Sequence, residues 1–185
     1  TKRDWRNRNK IKTANGLKWL SVPVSVKGKF NQKINETLIS EKGWAKKHWQ
    51  TIQQAYAKAP FFKEYKLLFE NLYLNHEYTR LSELNLMFIR EICQLFGVKT
   101  EIVYSKDLNL VGDKTEKLLN ICLDLNITDY YSGPAAKDYM DVNLFKAKGL
   151  DVHWFDYSGY PEYKQQYDGF EHGVTILDLI FNEGV

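Results

Sequence analysis

The sequence predicts an α/β fold: a mixed or mainly parallel sheet with flanking helices and a helical insert or cap. Three observations support this. From residue 98 onward, short β-branched runs and helical periodicities alternate as strand, helix, strand, helix, strand, the order that builds parallel sheets. Residues 40–97 carry only three- and four-residue apolar spacing, so they read as helices. The 185 residues, 44% hydrophobic and 15% aromatic, suit one compact domain over 1–185, with the insert at about 40–97.

Each element follows from its residues. Bases at Arg6, Arg8, Lys10 and Lys12 alternate, so an extended segment there puts all four on one face. Asn15-Gly16 signals a turn, and residues 18–26 read as the next strand, with Pro23 marking an edge or a bulge. A further extended stretch is expected at 34–39. Residues 40–59 form a helix in which Trp44, His48, Ile52 and Tyr56 share a face, stopped at Ala59-Pro60. Residues 62–75 and 81–96 give two more helices, the second ended by Gly97. Strands are expected at 101–104, 127–131 and 150–157. Helices are expected at 113–125, from 135, within 142–149 and at 174–182.

Charge is unevenly spread. The chain carries +3 overall, but residues 1–33 hold ten Lys or Arg against Asp4 alone, giving +9 and leaving −6 for the remainder. A basic front on an acidic body predicts a localised anion site and argues against a nucleic-acid partner. No apolar run reaches the ~20 residues of a membrane span, so no membrane insertion is expected. The start shows no signal-peptide pattern. Cys93 and Cys122 sit inside apolar helical patterns and read as buried free thiols, which fits a reducing, cytoplasmic setting.

Three stretches resemble one known family. The first is Arg6-Asn7-Arg8-Asn9-Lys10-Ile11-Lys12-Thr13-Ala14-Asn15-Gly16 with Trp19-Leu20-Ser21-Val22-Pro23-Val24. The second is Trp44-Ala45-Lys46-Lys47-His48-Trp49 with Tyr56-Ala57-Lys58-Ala59-Pro60-Phe61-Phe62. The third is Tyr131-Ser132-Gly133-Pro134-Ala135-Ala136, with Tyr139-Met140-Asp141 and the ending from Ile176 to Gly184. In this order, over nearly the whole chain, they resemble the WbqC-like family. The resemblance implies a bacterial protein of O-antigen and related polysaccharide clusters. It also implies a glycine or aminoacyl transferase acting on a nucleotide-linked amino sugar. The family's usual opening is similar to nucleotidyltransferase-like, Rossmann-like folds. Its His-Gln-Pro-Asn-Tyr-Leu-Pro type motif is not in this sequence, which begins at Thr1. A native N-terminal segment carrying part of the site is therefore expected outside it.

The candidate site residues follow from residue chemistry. Arg6, Arg8, Lys10 and Lys12 can hold phosphate oxygens, the arginines through a two-point fork; Asn7 on the alternate face can bond a sugar or backbone. A solvated basic edge strand is the competing reading. His48 and His172 are the candidate bases for an amine nucleophile. Ser132 and Gly133, between a strand and a helix, suit a ligand contact, a cap or a plain turn. No nucleophile elbow surrounds Ser132. Lys137, Tyr139 and Asp141 can line the same crevice, and Tyr163 belongs to an aromatic loop that either stacks on a sugar or packs on the core. The basic segment and residues 131–136 are expected to face one crevice. His153, inside a strand, reads as structural. No metal-ligand spacing and no phosphate-binding glycine loop is present, so no metal is expected and no cofactor is named. The expected partner is a small nucleotide-sugar or another phosphate-bearing ligand. The alternatives to aminoacyl transfer are an ATP-using nucleotidyltransferase or ligase-like enzyme and a non-enzymatic nucleotide-sugar-binding protein.

Overall fold

The computed structural model describes residues 5–29, 31–108 and 110–185. The chain divides into two compact units: residues 1–99 together with 162–185, and residues 100–161. Each has its own core.

The first unit opens with an antiparallel hairpin, β1 (Arg8–Thr13) and β2 (Gly16–Ser21), in which Lys10 pairs with Trp19 and Lys12 with Leu17. Ala14 and Asn15 make the turn, and Gly16 follows at φ +93°, a conformation glycine adopts without steric cost. Arg6 lies in a 3-10 turn before β1, so the alternating basic face begins at Arg8. The expected strand over 18–26 stops at Ser21. Pro23 has no N–H to continue the ladder, and only an isolated bridge from Val24 to Ile39 follows. Residues 34–39 are not a strand either. Ile34–Glu36 is a 3-10 turn, with single bridges at Leu38 and Ile39.

Three helices follow: α1 (Trp44–Tyr56), α2 (Phe62–Leu74) and α3 (Leu81–Leu95). Their apolar stripes bury Trp49, Ile52, Tyr56, Phe69 and Leu84 in one cluster with Ile11 of the hairpin. The last helix, α6 (Ile176–Glu183), completes that cluster. Its Phe181 ring lies 5.4 Å from Tyr56, 5.0 Å from Phe62 and 5.5 Å from Phe69, centroid to centroid. Aromatic contacts at this spacing add about 0.5–1.5 kcal/mol each beyond the area they bury.

The second unit contains α4 (Lys114–Asp124), β3 (Asp129–Ser132), α5 (Val142–Lys146) and β4 (Asp151–Trp154). The two strands pair in parallel, Tyr131 beside His153 and Ser132 beside Trp154. Phe145, Leu150, Cys122 and Met140 form the core beneath them. Asp113 caps α4 by accepting from the Glu116 N–H at 2.9 Å.

The fold is thus α/β, but a mainly parallel Rossmann-like sheet is not what forms. Among the described residues there is one parallel pair and one separate antiparallel hairpin. The strand expected at 101–104 is absent. Its β-branched run is only Ile102-Val103, and β propensity has little force without a neighbouring edge to pair with. Cys122 is buried and Cys93 half-buried, both free.

Candidate functional site

The first unit brings together most of the residues expected to act, but in two different settings. On the hairpin surface, the Arg8 guanidinium lies 4.7 Å from the centroid of the Trp19 ring and the Lys10 ammonium 5.1 Å from it. The register produces this, since Lys10 faces Trp19 directly and Arg8 is two residues away on the same face. Trp19 keeps 49% of its surface exposed. Two cations beside an open indole offer charge and a flat stacking surface in one place.

Lys12 continues that face but turns inward, and it is buried. Its ammonium donates to Gln165 Oε1 at 3.1 Å, to the Tyr167 carbonyl at 2.7 Å and to the Gly169 carbonyl. All three of its protons are thereby taken up by the 165–169 loop. Asn7 closes the base of the hairpin, donating Nδ2 to the Val22 carbonyl at 2.9 Å while its own carbonyl accepts from Val22 N–H. Arg6 is exposed, and its carbonyl accepts from Asn85.

Behind the hairpin lies a polar network that periodicity did not single out. Asp178 on α6 is fully buried, at 0% exposure. It accepts from the Tyr56 hydroxyl at 2.7 Å, the Tyr163 hydroxyl at 2.8 Å and Asn182 Nδ2 at 3.2 Å. Tyr56 in turn accepts from the Lys12 backbone N–H at 3.2 Å. Burial, reinforced by the Asp178 carboxylate, drives the Tyr56 hydroxyl far above its ordinary value, and burial does the same at Tyr163. Both phenols are therefore fixed donors. The sequence did carry a signal for Asp178: it is the lone acid in the apolar run Ile-Leu-Asp-Leu-Ile-Phe of a helix.

The two candidate bases differ. His48 is buried, its Nε2 3.0 Å from the Ser21 carbonyl and its ring edge-on to Trp44. A carbonyl can only accept, so Nε2 carries the proton and donates. Burial lowers its pKa below 6.5. His48 is thus a joint between α1 and the hairpin. His172 is exposed and stands edge-on to Phe170 at 4.5 Å, and Phe170 in turn packs on Tyr163.

The second unit holds the remaining candidates. Ser132 ends β3, and Gly133 precedes a five-residue 3-10 turn, Pro134–Asp138. The Tyr157 hydroxyl lies over Gly133, 3.3 Å from where a Cβ would sit. Asp141 caps α5, accepting from the Asn143 N–H at 2.9 Å. The Lys137 ammonium is 5.5 Å from the Trp154 ring, and Lys114 is 5.2 Å from that of Tyr139. The basic segment and residues 131–136, expected to share a crevice, fall in different units.

His153, expected to be structural, stands here too. His153 Nε2 is 2.8 Å from Asp129 Oδ1 at the surface, and its ring stacks on Tyr131 at 4.6 Å. Phe155 and Tyr157 continue the row. The period-two spacing of His153, Phe155 and Tyr157 matches the strand expected over 150–157, although β4 itself ends at Trp154. Among the described residues, no group of three His, Cys, Asp or Glu is placed to hold a metal. Among the same residues, no helix is long and apolar enough to cross a membrane.

The sequence model of the WbqC-like protein family matches residues 1–185. A Mycobacterium tuberculosis (strain H37Rv) protein described as "Uncharacterized protein Rv1507c" is 48% identical over 184 residues, taking in 100% of this chain and 80% of that protein. No solved structure matches the chain.

Proposed function

This chain belongs to the WbqC-like protein family, and on that premise we propose that it handles a nucleotide-linked amino sugar during the making of surface polysaccharide. In this reading it transfers an aminoacyl group, glycine first among the candidates, to the sugar's amine. The observation that carries the reading is the exposed Trp19 ring with Arg8 and Lys10 beside it. A nucleotide diphosphate presents a flat base and closely spaced negative oxygens, and this surface offers a partner for each.

The chemistry asks for few groups. The neutral amine attacks the carbonyl of an activated acyl donor, forming the C–N bond. The bond from the acyl carbon to its carrier oxygen or sulfur breaks, and the carrier leaves with the electron pair. The amine's surplus proton passes to a base. His172, exposed beside the aromatic 163–170 loop, fits that last role better than the buried His48.

The test is calorimetry with a uridine diphosphate amino sugar and with ATP, on the wild type, Arg8→Ala and Trp19→Ala. A charged hydrogen bond is worth about 1.5–3 kcal/mol, so losing Arg8 should weaken binding roughly ten- to a hundredfold. Equal affinity in all three folded proteins removes the reading. Binding of ATP alone favours a nucleotidyltransferase or ligase. Mass spectrometry of the sugar nucleotide after incubation with candidate acyl donors separates an enzyme from a binding protein.

A further inference from the structure

The second unit carries a surface that the nucleotide reading leaves unused. Tyr131, Phe155 and Tyr157 are 58%, 46% and 60% exposed. They are not scattered. The Tyr131 and His153 rings stack at 4.6 Å and 21°, Tyr131 meets Phe155 at 5.7 Å, and Phe155 and Tyr157 lie at 6.1 Å and 10°. Four rings thus form one row that starts with Tyr131 and His153 on the β3–β4 ribbon and runs through the residues after β4 to the turn at Gly133, where the Tyr157 hydroxyl sits. Ordered, exposed aromatic rows of this kind are a stacking surface for a flat apolar ring face.

Charge selects the occupant. Residues 100–161 hold ten carboxylates and six lysines, a net −4. Asp129 and Asp151 face each other at the start of the two strands, two residues before Tyr131 and His153 and on the same face. Asp129 is fixed at both oxygens, accepting from Thr128 Oγ1 at 2.7 Å and paired with His153 Nε2 at 2.8 Å. Those contacts hold its carboxyl below the ordinary carboxylate range. An acidic surface repels phosphate, so nucleotides and nucleic acid are poor fits. A ring with apolar C–H faces and a positive substituent fits both the stack and the acids.

The geometry points to a binding site for an amino-sugar ring bearing a free ammonium, stacked on Tyr131 and Phe155, with its ammonium directed at Asp129 and Asp151. The inference goes beyond the proposed function: its ligand is an amino sugar that carries no phosphate, held by residues 129–157 alone.

The whole protein, labelled with 15N, is titrated with glucosamine, N-acetylglucosamine and glucose while amide shifts are followed. Glucosamine should move amides of residues 129–133 and 151–157 and bind at least about fivefold more tightly than the two uncharged sugars. Tyr131→Ala and Asp129→Asn should each weaken it by about fivefold or more. Both residues are exposed, and a retained amide spectrum shows that the fold persists; Phe155→Leu is the milder second variant. Equal response to the three sugars, shifts elsewhere, or no effect of Tyr131→Ala overturns the site. Self-association that Tyr131→Ala abolishes, without sugar binding, assigns the face to a second copy and overturns it equally. If nucleotide binding still depends on Arg8 while glucosamine leaves these amides unmoved, this inference fails alone. If neither ligand binds, the function reading fails with it.

Discussion

Replacing Asp178 with alanine removes the acceptor of three hydrogen bonds at a position with no solvent access. Tyr56 is buried as well, so its hydroxyl has no water to turn to, and an unmet buried donor costs about 1–3 kcal/mol. Tyr163 is half-buried and recovers part of its loss. Asn182 Nδ2 keeps the Asp178 carbonyl at 2.7 Å and loses little. The sum is roughly 2–5 kcal/mol, a large share of the ~5–15 kcal/mol typical of a folded domain. Tyr56→Phe should cost about 1–3 kcal/mol, because the Lys12 N–H also loses its acceptor, and Tyr163→Phe about 1 kcal/mol. Urea unfolding followed by tryptophan fluorescence reads this unit directly, since four of the five tryptophans lie in it. If Asp178→Ala stays within about 0.5 kcal/mol of the wild type, or Tyr163→Phe costs more than Tyr56→Phe, the network does not hold the unit as described.

Three further outcomes are expected. Lys12→Met should cost about 2–4 kcal/mol and open the 165–169 loop to protease, because its three bonds fasten the loop to the hairpin beside the Tyr167 hydroxyl bond to the Ala55 carbonyl; an unchanged cleavage pattern speaks against that. His48 has its pKa lowered by burial, so the unfolded chain binds the extra proton more readily and stability falls as pH drops through 6.5. His48→Gln should flatten the decline between neutral pH and about pH 5, and an unaltered slope in denaturant titrations rules His48 out as its source. Gly184→Ala should cost roughly 1–3 kcal/mol in melting experiments, since φ there is +83° and the new methyl would press on Phe61 at 3.1 Å; a neutral substitution would mean that α6 ends more loosely than it looks.

Much of the fold was legible because local pattern and final packing agree. The helices at 44–56, 62–74 and 81–95 bury the stripes their periodicity marks, and a turn at Ala14-Asn15, one residue before the expected Asn15-Gly16, joins two strands. Failures came where tertiary context decides. Ile102-Val103 had no edge to join, and Pro23 ended β2 early. At the hairpin, alternation correctly put Arg8, Lys10 and Lys12 on one face, yet it cannot distinguish an exposed lysine from one swallowed by a loop 153 residues away in sequence. Asp178 and Asp129 were missed because their partners, Tyr56 and His153, are distant along the chain and only folding brings them close.

The first unit is made of two stretches of chain, and that has a consequence for how it is synthesised. Residues 100–161 are contiguous and can complete their core as soon as they leave the ribosome. The hairpin and the first three helices emerge earlier, but Phe181, Ile180 and Asp178 arrive last. At ~5–20 residues per second, the early portion waits for several seconds with the slot for α6 vacant and its aromatic rings uncovered. That interval is when this chain is most exposed to chaperone capture and to aggregation. Substitutions that weaken the docking of α6 should therefore lower yield in cells more than their effect on the finished protein suggests.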